Sequence, residues 1–157
     1  MGNNSMIKTK EHKILVIHGP NMNLLGLRTK GTGREITLDK LNRHLRKIAR
    51  EKGQSLTIFQ TNDESRAINR LQSQRKKTKG ILLFPGPWQQ SGHVIKDTLE
   101  LLSIPCIIIS LGEKESVLKK IKSIDEDDIY ISIEKALTEL EKLIHRKKIY
   151  NKKQLPI

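Results

Sequence analysis

At 157 residues the chain is long enough to bury one core of its own, and a single cysteine, Cys106, excludes an internal disulfide framework. Thirty Lys and Arg against 17 Asp and Glu give a formal charge of +13 and a pI near 10; this favours nucleic acid or acidic partners, and a compositional bias toward lysine produces it equally well. No run approaches eighteen apolar residues and the first nine lack a secretory core, so the expectation is a soluble, intracellular chain with no membrane partner.

In chain order, residues 1–12 read as a flexible leader, 13–145 as one domain and 146–157 as a basic tail. The first predicted strand carries four apolar residues, Ile14, Leu15, Val16 and Ile17, and stops at the turn His18-Gly19-Pro20-Asn21. In an open parallel sheet, ligands sit beyond the carboxyl ends of the strands. Asn21, Asn23 and Arg28 therefore stand where a small polar ligand is expected. Residues 26–35, with Gly26, Gly31 and Gly33, read as a mobile loop over that strand end. Thr37 is placed to cap a helix with Leu38, Leu41, Leu45 and Ile48 on one face, and a second strand is predicted over 55–60.

A turn at Thr61-Asn62-Asp63-Glu64 leads to a helix with Ile68 and Leu71 inward. Between 65 and 79 the charged residues are all basic: Arg66, Arg70, Arg75, Lys76, Lys77 and Lys79. They form either a solvated face or a surface for nucleic-acid phosphates or an acidic partner. A third buried strand spans 80–84, and the helix that starts near Ser91 is expected to bury Val94, Ile95, Leu99 and Leu102. Pro105 opens a fourth strand over 106–109, where Cys106 reads as an inert core thiol. Residues 113–128 are densely charged and read as a helix with a loop. Residues 129–133 read as a short fifth strand or as the start of the last helix; alternation through Ile129, Ile131 and Ile133 favours the strand, followed by an amphipathic helix through Ala136, Leu137, Leu140, Leu143 and Ile144. The tail is expected to be poorly ordered without a partner. Alternating strands and helices, with strands apolar on both faces, predict a doubly wound, parallel, three-layer α/β fold.

Four segments, HGPNMNLLGLR at 18–28, FQTNDE at 59–64, GILLFPGPWQQSGHVIKDTL at 80–99 and IPCIIISLG at 104–112, resemble type II 3-dehydroquinate dehydratase, or type II dehydroquinase, in order and spacing. The resemblance covers roughly residues 13–112. It implies a flavodoxin-like subunit, a homo-oligomer of trimers assembled into a dodecamer, and cofactor-free, metal-free dehydration of 3-dehydroquinate to 3-dehydroshikimate in the shikimate pathway. For that elimination the family supplies a tyrosine base in a lid beside an arginine, a first-turn asparagine holding an enolate-stabilising water, and a histidine acid after the fourth strand.

Carried onto this chain, Asn21 and Arg28 match the asparagine and the arginine. The base position falls on Gly33, the acid on Ser110 and its orienting glutamate on Ile108. On the substrate side, Gln90 stands for a family histidine, Phe84 for a family asparagine, and Asp97 for a carboxylate used across a subunit contact. His93 and Leu111 complete the expected substrate-binding set. The family arginine after the fourth strand has only Lys119, Lys120 or Lys122 as replacements, and the only tyrosines, Tyr130 and Tyr150, lie far along the chain from the lid. The expectation is a degenerate family member kept as a binding or structural protein. The alternative is an active dehydratase or related lyase that recruits His18 or His93.

Overall fold

Strands β1 (His12–His18), β2 (Gln54–Gln60), β3 (Gly80–Phe84), β4 (Cys106–Ile109) and β5 (Ser123–Ile124) form one sheet in the order β2-β1-β3-β4-β5 in a computed structural model, which describes residues 12–113 and 115–154. Every neighbouring pair is parallel. This is the flavodoxin-like order, and its direction of winding reverses between β1 and β3. Helices α1 (Leu25–Thr29), α2 (Leu38–Glu51), α3 (Glu64–Gln74), α4 (Trp88–Ser91), α5 (His93–Leu102) and α6 (Ile129–Lys153) cover the two faces.

The strand pleat sorts the core into two layers. Ile14, Val16, Leu82, Phe84, Ile107 and Ile109 pack beneath α2 and α6. Leu15, Ile17, Ile81, Leu83 and Ile108 face α3 and α5 on the other side. A strand covered on both faces has no position for a polar residue, hence the unbroken apolar runs in β1 and β3. Side-chain caps fix three helix starts: Thr37 Oγ1 accepts from Lys40 N at 3.3 Å, Asp63 Oδ1 from Ser65 N at 2.9 Å, and Asp128 Oδ1 from Tyr130 N at 2.9 Å.

The chain beyond residue 112 differs from expectation. Residues 115–122 form no helix; they follow a loop and turn held by buried Gln89, whose backbone oxygen accepts from Val117 N at 2.6 Å. The fifth strand is Ser123–Ile124, and residues 129–133, expected as that strand, open α6. Ile129, Ile133, Ala136, Leu137, Leu140 and Ile144 follow helical spacing into the core, whereas Ile131, which a strand would put on the same face, is exposed. Asp128 starts this helix, and it runs unbroken to Lys153. Residues 146–153 of the expected tail are thus its last turns, since no glycine or proline interrupts them. Val94 is also misplaced by the sequence reading. Gly92 separates α4 from α5, and the phase of α5 turns Ile95, Thr98 and Leu99 inward and leaves Val94 exposed. Of the expected leader, only His12 lies among the described residues, and it opens β1. Among the described residues, no helix is long and apolar enough to cross a membrane.

Candidate functional site

The reversal point brings the ends of β1 and β3 side by side, where Gly19 N donates to Phe84 O at 2.8 Å. A Cβ on Gly19 would lie 2.7 Å from Pro85 O and 3.0 Å from both Phe84 O and Trp88 Cε3, so only glycine allows the two turns to approach. The chain then passes through Asn21 in the left-handed region, φ 67°, a conformation asparagine tolerates well. Amides from the end of β2 hold the turn in place. Asn62 Oδ1 accepts from Asn21 N at 3.0 Å, and Gln60 Nε2 lies 3.4 Å from both Gly19 O and Asn23 Oδ1. Gln60 and Asn62 thus order the candidate turn, roles the sequence reading did not assign. Asn21 and Arg28 are both exposed at this edge.

The rest of the expected set is scattered between surface and core. Gln90, His93 and Asp97 are exposed on α4 and α5, while Glu64 caps α5 by accepting from Ile95 N at 3.0 Å. Phe84 is fully buried. Trp88 is buried as well, on the opposite layer of the core. Ser110 is buried and donates to Glu113 Oε2 at 3.0 Å, and the same carboxylate oxygen accepts from Leu111 N at 2.7 Å. A carboxylate of the chain itself therefore occupies the Ser110 hydroxyl and the Leu111 N–H just beyond β4. The three-residue spacing of Ser110 and Glu113 was the available signal for it. Gly33, at φ +83°, would have nothing within 4 Å of an added Cβ and offers no proton-accepting group. Lys122, one possible stand-in for the family arginine, is paired with Glu139 at 2.6 Å and holds that carboxyl below the usual range.

The two histidines considered for recruitment differ. His93 faces solvent. His18 is fully buried, stacked on Phe84 with ring centroids 4.5 Å apart, and its Nε2 donates to Asn42 Oδ1 at 2.8 Å. Burial pushes its pKa from 6.5 down to about 4, with the Asn42 bond opposing the shift. His18 is thus a neutral core residue in contact with no solvent, and its Nδ1 finds no partner among the described residues.

Tyr130, distant in sequence, lies close in space to the segment 26–35. Arg34 sits over its ring, 5.0 Å from the centroid, and bonds Asp128 Oδ2 at 2.7 Å. The Tyr130 backbone N–H, followed by Arg34, holds the Asp128 carboxyl below the usual carboxylate range against the opposing effect of desolvation. The loop expected over 26–35 is thus partly helix, α1, and partly a glycine-bearing turn whose Arg34 reaches α6. Cys106, expected in the core, is half-buried against the second core layer, and desolvation pushes its thiol up to about 12.

Sheet order, reversal point and the Gly19–Asn23 turn together define a doubly wound α/β protein of the flavodoxin-like class, a class whose ligands bind beyond the carboxyl ends of the strands. A profile of class II dehydroquinases matches residues 12–122, and the chain belongs to that family. It is 36% identical over 100 residues to the 3-dehydroquinate dehydratase of Geotalea daltonii, covering 64% of this chain and 69% of that protein. The same-named protein of Trichodesmium erythraeum is 37% identical over 99 residues, covering 63% and 66%. The chain thus spans about two thirds of the length of these relatives. The crystal structure of type II dehydroquinase from Butyrivibrio crossotus superposes with a TM-score of 0.75 at 27% identity, covering 83% of this chain and 98% of that one.

Proposed function

We propose that this family member has lost dehydratase chemistry at the carboxyl edge and serves as a binding or structural protein with basic surfaces. The observation that carries the proposal is the state of the two proton-transfer positions: Gly33 has no side chain, and buried Ser110 is hydrogen-bonded to Glu113. A hydroxyl so placed is too weak an acid to replace imidazole near neutral pH. Each general acid or base role is worth about 10²- to 10⁴-fold, so losing both removes most of the acceleration. Buried His18 and exposed His93 supply no obvious substitute.

The test is to incubate the purified protein at high concentration with 3-dehydroquinate and follow the ultraviolet absorbance of the conjugated product over hours. No turnover is expected. Steady turnover that disappears in Arg28→Ala would overturn the proposal. Homo-oligomeric assembly belongs to the same reading, supported by the likeness to type II dehydroquinases. A monomeric mass by light scattering would count against it.

A further inference from the structure

The amino edge of the sheet, opposite the candidate site, carries a groove of about 1160 Å³. Four segments far apart in sequence meet there: the start of β1, the turn from α3 into β3, the end of α5 leading into β4, and the last turns of α6. Seven lining residues are basic: Lys13, then Arg75, Lys76, Lys77 and Lys79, then Lys147 and Lys148. Among the described residues no carboxylate lines it, and none of the seven takes part in an ion pair. The floor is aliphatic, with Leu102, Ile104, Pro105 and Ile144, and Leu101 is 76% exposed at its margin.

Helices α3, α5 and α6 all end at this edge, so some of the cations complement the negative ends of helix dipoles. Lys147 does so directly, donating to Ser103 O beside the end of α5. That role explains one or two cations at each helix end; it does not explain seven converging on a concavity without an acid among them. The basic run 65–79 is itself divided by the fold. Arg75, Lys76, Lys77 and Lys79 enter the groove, while Arg66 and Arg70 stay outside its lining, with Arg70 stacked on Phe59 at 4.3 Å.

We infer that this groove binds the phosphate backbone of a single-stranded nucleic acid. Charge complementarity selects a polyanion, and six of the seven cations are lysines. Lysine serves a phosphate as a point charge, whereas carboxylate recognition favours the arginine fork. A concavity of this kind follows one strand, and its aliphatic floor accommodates sugars and base faces. With no Phe, Tyr or Trp in the lining, stacking contributes little, so binding is tolerant of sequence and dominated by counterion release. The inference deepens the proposed binding role but does not need a silent dehydratase site: turnover and nucleic-acid binding are measured separately and fail separately.

The experiment uses fluorescence anisotropy of a fluorescein-labelled 20-nucleotide uridine RNA with the full chain, from 50 to 300 mM NaCl. Binding at the lowest salt is expected, with log K falling linearly against log salt at about −0.7 per phosphate neutralised. The variant Lys76→Glu/Lys77→Glu/Lys148→Glu alters exposed side chains only and is expected to weaken binding at least tenfold and flatten the slope. Arg43→Glu/Arg46→Glu/Lys47→Glu on exposed α2 positions makes the same change in net charge and is expected to bind within about threefold of the parent. Equal losses in both variants would overturn the inference, because net charge alone would then account for binding. No binding at 50 mM NaCl would overturn it too, as would retention of a labelled polyglutamate peptide with none of the RNA.

Discussion

Replacing Phe84 with alanine lowers the free energy of unfolding by about 3–5 kcal/mol, the range for truncating a buried aromatic residue. The size follows from where the residue ends β3: it is fully buried, stacked on His18, and part of the layer beneath α2 and α6. Its backbone oxygen also receives Gly19 N, so a collapse of the cavity pulls on the turn that presents Asn21. Phe84→Asn, which installs the residue implied at this position by the family resemblance, loses at least as much stability because its amide enters an apolar site without a partner. Urea unfolding at pH 7.5 measures both. A loss below about 1 kcal/mol in either variant would mean that position 84 faces an open pocket and that the substrate side has kept its shape.

Acid destabilises the protein through His18 before its carboxylates titrate. In the unfolded chain the imidazole takes up a proton near 6.5, whereas the folded protein resists until about 4. Between those values the unfolded state binds more protons, so stability is complete above pH 6.5 and declines as the pH falls toward 4. A shift of this size corresponds to about 3 kcal/mol. His18→Gln preserves a donor toward Asn42 without a titrating ring, and urea midpoints measured from pH 7.5 to 4.5 should fall less steeply in that variant. Parallel pH profiles for the two proteins would instead assign the acid sensitivity to other groups.

Much of the sheet was legible in the sequence because β1, β3 and β4 are buried on both faces and thus announce themselves as continuous apolar runs. β5 was not. Two residues at the edge of a sheet, Ser123 and Ile124, carry no periodic signal. The isoleucines at 129, 131 and 133 imitated strand alternation, although Asp128 and the spacing onward to Ile144 specify a helix. Asn21 and Arg28 were found at the expected edge because turn chemistry is local. Gln60 and Asn62 under the first turn and Arg34 against Tyr130 were missed because each joins groups through tertiary contact, whereas Glu113 on Ser110 and Leu111 is local and had its spacing as a signal. The groove was invisible for the same reason: its lysines come from three stretches about 70 residues apart in the chain, united by the pairing of β1 with β3 and the packing of α6.

β1 is seven residues long, which sets its two ends roughly 20 Å apart at the usual rise per residue. The turn of Asn21 and the groove of Lys13 are therefore opposite termini of one rigid strand. At such a separation, substitutions at the two ends combine additively, so a double-mutant cycle between Phe84 and Lys148 yields no interaction energy. Substitution at the carboxyl edge therefore leaves the amino edge undisturbed, and one parallel sheet holds two ends that can change independently.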